Sequence, residues 1–171
     1  LIKTLNFSEQ IRYCHTFPDD TLGVSWARHL VFSLYDNEEY FLQVDSHTYF
    51  EENWDENLIN QYEVLLKKSQ KPIISTYPYG FSLDEYGEVI YKKPSGKSVL
   101  VLRPKEECTL SKDSFVLQFR AKHITSNEAI AGCHIAAGFL FTKGSFIEEI
   151  PYDPYLYFHG EEQSLSLRAF T

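Results

Sequence analysis

The run Tyr40-Phe41-Leu42-Gln43-Val44 leads straight into Asp45-Ser46-His47. An apolar run of that length reads as a fully buried strand of an α/β sheet. Ligands of such sheets bind at the carboxyl ends of the strands. A carboxylate oxygen and an imidazole nitrogen two residues apart can hold one divalent cation, and the mixed O/N donors suit Mn²⁺ better than Ca²⁺. A cation held there would bind a diphosphate, which is the chemistry of nucleotide sugars. The competing reading is an Asp that caps a turn beside a surface His, because Asp-x-His alone is a weak pattern.

A second acidic pair, Glu161-Glu162, follows Gly160 at the start of the last helical segment. Acidic residues favour a helix N-terminus through its dipole, so one reading is a helix cap. The other is a carboxylate beside a reacting sugar or its acceptor hydroxyl, acting as general base or stabilising an oxocarbenium-like transition state. His159 precedes the pair and reads equally as a packed or surface residue. The run Ala131-Gly132-Cys133-His134-Ile135-Ala136-Ala137-Gly138 is small in side chain. It suits either close approach of a ligand to the backbone or tight packing of strand against helix.

These residues need a scaffold. Ile2 to Phe17 shows no clear period, and Pro18-Asp19-Asp20-Thr21 reads as a turn. A helix starts after Gly23, with Trp26, Leu30, Leu34 and also Val31 and Tyr35 at helical spacing. A second helix, capped by Asn53 or Asp55, carries Leu58, Ile59, Tyr62, Leu65 and Leu66 and ends near Lys67-Lys68, which complement its dipole. Pro72 to Thr76 reads as the next buried strand, giving a βαβ rhythm. Residues 77–127 read as a β-rich segment, with turns at Tyr86-Gly87-Glu88 and Pro94 to Lys97 and strands at Ser98 to Leu102 and Ser114 to Phe119. Phe139-Leu140-Phe141 reads as a strand, Lys143 to Ile150 as a short helix, Pro151 to Phe158 as an aromatic loop, and a final helix runs through Arg168.

At 171 residues the chain is one domain by length, able to bury a core. A net charge of −8 with scattered basic residues argues against a nucleic-acid partner. Cys14, Cys108 and Cys133 are too few and too far apart for a disulfide scaffold, and no Cys-x-x-Cys suggests structural zinc. A reducing compartment is the simplest setting, and no apolar run is long enough to span a membrane. The lone sequon Asn6-Phe7-Ser8 says little. There is no methionine, and we expect a piece of a longer protein.

The ordered set of motifs carries a resemblance. Gly23 to Arg28, Leu42 to Phe50 with Asn53-Trp54-Asp55, Ala136 to Phe141 with Pro151 to Pro154, and Phe158 to Glu162 with Arg168-Ala169-Phe170-Thr171 together resemble one family. It is the glycosyltransferase family of the cytosolic polypeptide (hydroxyproline) N-acetylglucosaminyltransferase, which uses UDP-GlcNAc. A more distant likeness is to the polypeptide GalNAc-transferases, with their Asp-Ser-His motif, small-residue strand and Gly-Gly-Glu-Asn segment. The resemblance implies an α/β GT-A fold, a Rossmann-like mixed sheet with flanking helices, spanning residues 1–171. Asp45 and His47 would bind Mn²⁺, and Arg28 would sit near the diphosphate or brace the metal loop. Ala137 and Gly138 would border the donor sugar, and Phe158 would form an aromatic wall. Glu161 would lie at the sugar, with Glu162 beside it as the second catalytic candidate. The resemblance implies retention of anomeric configuration, a protein or glycan hydroxyl acceptor, and a cytoplasmic setting.

The pattern departs from the family in two places. The uridine-binding first strand lies upstream of the Gly-x-x-x-Ala-Arg helix in GT-A folds, yet only 22 residues precede Gly23. A third metal ligand, a His after the last helix, has no counterpart before Thr171. The expectation is a domain missing its first strand and C-terminal tail. A catalytically decayed glycosyltransferase-like binding module, and a phosphohydrolase using Asp45 and His47, are the alternatives.

Overall fold

The computed structural model describes residues 7–92, 98–107, 111, 113 and 117–171. Its helices are α1 (Val24–Phe32), α2 (Trp54–Leu66), α3 (Phe146–Glu149) and α4 (Glu161–Phe170). The strands are β1 (Tyr40–Val44), β2 (Ile74–Ser75), β3 (Phe81–Leu83), β4 (Val89–Tyr91), β5 (Ser98–Pro104), β6 (Phe119–Thr125) and β7 (Phe139–Lys143). Single 3-10 turns at Ser8–Gln10 and Pro18–Asp20 occupy the N-terminal segment, and Thr21 Oγ1 donates to the Pro18 carbonyl to close the second.

The central sheet runs β1-β7-β2, with both pairings antiparallel. β1 and β2 therefore point the same way, as strands joined by a helix should, but β7 lies between them. The βαβ rhythm of the sequence is present without adjacency of its two strands. β7 rather than β1 is the buried strand: Leu140, Phe141 and Thr142 are buried in sequence, whereas β1 is half-buried throughout. The reason is position, since the middle strand has neighbours on both edges and helices on both faces.

The pleat sorts the side chains between those faces. On one face the Tyr40 and Phe141 rings stack at 5.5 Å, and Tyr62 of α2 meets both edge-on. On the other, Phe41 and Leu140 meet Phe32 of α1, Phe146 of α3, Leu165 of α4 and Tyr152. The result is three layers, with the sheet in the middle.

Local details differ from the sequence pattern. α1 buries Ser25 and Phe32, while Trp26, Leu30, Leu34 and Tyr35 are half-buried and Val31 is exposed. In α2 Tyr62 is the buried residue and Ile59 is exposed. Asn53 precedes α2 in the left-handed conformation and its side chain caps nothing. Lys67 and Lys68 lie beyond the helix, whose last turn holds no basic residue. The strand expected from Pro72 to Thr76 contracts to Ile74–Ser75. Of the strand expected at 114–119, residues 114–116 lie outside the described residues and β6 starts at Phe119. The turn expected at residues 94–97, and Cys108, also lie outside the described residues.

The 77–127 segment is β-rich, as its composition implies. β3 and β4 form a hairpin closed at Gly87, whose φ of 84° suits glycine, while the Asp84 carboxylate accepts from the Tyr86 and Glu88 amides. β5 and β6 pair over seven residues as a separate ribbon. Gln163 Nε2 donates to the Leu117 carbonyl and ties this ribbon to α4. Among the described residues no helix is long and apolar enough to cross a membrane.

Candidate active site

Register builds the site. Val44 pairs with Phe139, so continuing one residue past the strands sets Asp45 opposite Gly138. The carboxyl end of β2 arrives at the same end of the sheet, followed by Tyr77. A Cβ added to Gly138 would lie 2.8 Å from Asp45 Oδ2, so glycine at 138 is what lets the carboxylate sit there. The end of the sheet floors a cleft of about 1380 Å³. All eight residues singled out from sequence line it: Arg28, Asp45, His47, Ala137, Gly138, Phe158, Glu161 and Glu162. His47 and Phe158 are exposed, while Ala137 and Glu161 are buried.

Arg28 is the hub. It extends from α1, and its Nη1 donates to both Glu161 oxygens at 2.8 Å across 133 residues of sequence. Its Nη2 lies 3.7 Å from Asp45 Oδ1, and its guanidinium sits 5.5 Å from the Tyr152 ring centroid. Burial works against the Arg28 charge, but Tyr152 and Glu161 outweigh it and hold the proton more firmly than usual. On Glu161 burial is the largest influence and pushes the carboxyl above its ordinary value, against the pull of Arg28. The two directions conflict over one pair. Contact of both oxygens with a guanidinium, which gives up no proton in a protein, decides for an ion pair at neutral pH.

Glu162 sits in a different environment. Burial pushes its carboxyl up as well, but His134, the Ala137 amide and the Arg28 charge together bring it below the ordinary value. Its Oε1 accepts from the Ala137 amide at 2.7 Å. So Glu161-Glu162 is more than a helix cap: one carboxylate grips α1 and the other grips the segment before β7, and together they seat α4 on the cleft floor.

Gly23 opens α1 with φ 106°, and a Cβ there would lie 2.2 Å from the Tyr157 carbonyl oxygen. The Val24 amide donating to the Tyr157 carbonyl and Ser25 Oγ donating to the Asp153 carbonyl at 2.7 Å fasten the helix to the aromatic loop. Arg28 is aimed by this anchoring.

Sequence reasoning missed Gln43 and Tyr152. Gln43 Nε2 donates to the Ala137 carbonyl at 2.6 Å and to the Tyr152 hydroxyl at 2.9 Å. Burial is the main reason that the Tyr152 hydroxyl is pushed up to about 12. A Gln inside an otherwise apolar strand was the available signal. It also missed Tyr77, Tyr79, Phe81, Lys105 and Phe119, which line the far wall from the hairpin and ribbon. Nothing in their spacing marks them.

A family model described as glycosyltransferase (GlcNAc) matches residues 2–171. The chain belongs to the glycosyltransferase (GlcNAc) family. Comparison with the curated proteins and with solved structures gave no match. Family membership implies a sugar donor and an acceptor, and the cleft at the end of the sheet is where the residues singled out from the sequence converge. Among the described residues its lining carries four carboxylates, Asp45, Asp113, Glu161 and Glu162, and two cations, Arg28 and Lys105. Among the described residues no group of three or more His, Cys, Asp and Glu is gathered to hold a metal. Asp45 and His47 both line the cleft from the loop that follows β1.

Proposed function

We propose that this glycosyltransferase moves GlcNAc from UDP-GlcNAc to a hydroxyl of a polypeptide or glycan, with a divalent cation and with retention of configuration. The observation that carries the reading is the convergence of Arg28, Asp45, Gly138, Glu161 and Glu162 on one cleft floor. The GT-A architecture is part of the same proposal. It is supported by a sheet between helical layers, antiparallel in both pairings with its outer strands β1 and β2 running the same way, and by an Asp-x-His loop at the carboxyl end of β1.

The donor set fits a divalent cation that takes the rest of its shell from ligand oxygens. Among the described residues the cleft lining has two more carboxylates than cations, which disfavours a bare diphosphate, and two protein donors plus phosphate and water is a common arrangement for a hard cation. Asp45 and His47 would hold it, and it would neutralise charge developing on the UDP leaving group. Transfer breaks the bond from the sugar C1 to the diphosphate and forms one from C1 to the acceptor oxygen. The acceptor proton must leave with a base. Both Glu161 oxygens are engaged by Arg28, which favours Glu161 as a positioning group and leaves that proton to the departing phosphate. Arg28, fixed between Asp45 and Glu161, aligns the cation-binding loop with the floor. The Ala137-Gly138 backbone borders the sugar and Phe158 closes one side.

The test is UDP release from UDP-GlcNAc by the full chain with Mn²⁺, with chelator, and by Asp45→Asn. Release that requires both the metal and Asp45 is the expected result. No release together with no Mn²⁺-dependent UDP binding would leave a binding module on a glycosyltransferase scaffold.

A further inference from the structure

His134 lies outside the cleft lining, yet its side chain is only 4% exposed. Its ring stacks on Phe119 of β6 at 3.7 Å between centroids and 9° between planes. Among the described residues its buried Nε2 has no hydrogen-bond partner, and it lies 3.5 Å from Glu162 Oε2. Leaving a buried polar atom unpaired costs stability, and a Phe would serve the stack without that cost. The imidazole therefore needs a reason beyond packing.

Glu162 supplies one. Its other oxygen takes the Ala137 amide, and Ala137 leads into Gly138, against which the Asp45 carboxylate packs. A move of about half an ångström would bring Nε2 to charge-assisted hydrogen-bond range, and catalytic hydrogen bonds commonly tighten only when the ligand is bound. A second cavity of about 290 Å³, lined in part by His134, Phe119 and Cys133, leaves the ring room to tilt.

We infer that His134 is a positioning residue: its Nε2–H holds Glu162, which in turn fixes the Ala137-Gly138 backbone beside Asp45 on the cleft floor. The inference rests on the glycosyltransferase reading of the cleft. Its ring also joins the β5–β6 ribbon to that floor through Phe119, so the far wall and the floor share one anchor.

Two substitutions separate the ring from the proton. His134→Phe keeps the stack on Phe119 and loses the donor, and His134→Gln keeps a donor and loses the ring. With UDP-GlcNAc and Mn²⁺, His134→Phe should lower kcat/KM about 10–100-fold, the range expected when a floor element is displaced by less than about an ångström. His134→Gln should recover most of that loss. In a Glu162→Gln background, His134→Phe should have little further effect. The imidazole ¹⁵N signal of His134 should also move in Glu162→Gln, a readout that needs no turnover. Wild-type kcat/KM in His134→Phe, a His134→Gln no better than His134→Phe, or an unmoved imidazole signal would overturn the inference. Should wild type release no UDP, the proposed function falls, and the imidazole signal alone decides whether His134 holds Glu162.

Discussion

Gly138→Ala is the sharpest probe of the cleft floor. The new Cβ would sit 2.8 Å from Asp45 Oδ2, 3.4 Å from Cγ and 3.9 Å from Oδ1. The closest contact is about 0.6 Å short of ordinary van der Waals separation. What it meets is the end of a side chain, and the Asp45 side chain is 45% exposed. The carboxylate can swing toward solvent, so folding stability should change by less than about 1 kcal/mol. Binding should not escape so lightly. Changing a neighbour that orients a metal ligand typically costs about 10–100-fold in metal affinity, or roughly 1.4–2.7 kcal/mol. Titration calorimetry of UDP into the protein with Mn²⁺ reads that loss, and thermal unfolding reads stability. Gly144→Ala is the contrasting control. Its Cβ would lie 1.9 Å from the Glu38 carbonyl oxygen, which is backbone and cannot swing aside. It should lose about 1–3 kcal/mol of stability by overpacking. Unchanged Mn²⁺-dependent UDP affinity in a stably folded Gly138→Ala would refute the reasoning, because Asp45 would then not be a ligand. So would a stability loss as large as that of Gly144→Ala.

Other expectations follow from the buried polar groups. Arg28→Ala strands the Glu161 carboxylate, 9% exposed, without its partner. It should lose about 3–5 kcal/mol in urea unfolding, and the pair Arg28→Met with Glu161→Leu should lose much less. A single variant as stable as wild type would show that the pair is not formed. Tyr152 gives a pH dependence. Its hydroxyl titrates at about 12 in the fold against 10.0 ordinarily, so the native state keeps a proton that the unfolded chain releases. That contribution is complete below pH 10 and is lost as pH rises toward 12, a fall of roughly 3 kcal/mol. Tyr152→Phe should flatten stability over that window relative to wild type, and parallel curves for the two proteins would contradict it.

Much of the site was legible in the sequence because local chemistry marks it. Asp45 and His47 follow an apolar run, Ala137 and Gly138 close a small-residue run, and Glu161-Glu162 follow a glycine that opens a helix. Each signal is complete within a few residues, and their order along the chain brought the family into view. Gln43 stood as a polar residue within a run read as a wholly buried strand. Tyr152 and His134 left no mark, since an aromatic loop and a small-residue run look alike whichever side chains they come to face.

The sequence determined the helices and the strands β1, β2, β5 and β7, though not β3, β4 or the span of β6, and where the chemistry-bearing side chains stand along the chain, because period, glycines and turn residues act over one or two turns of chain. Only the tertiary structure decided that β7 enters between β1 and β2 and takes the buried centre from β1. It alone paired Arg28 with Glu161 across 133 residues and set Gly138 against Asp45. Strand pairing and ion pairing each need two partners, and a local stretch of sequence carries only one of them. Which partner it meets is decided by the burial that the whole chain achieves at once.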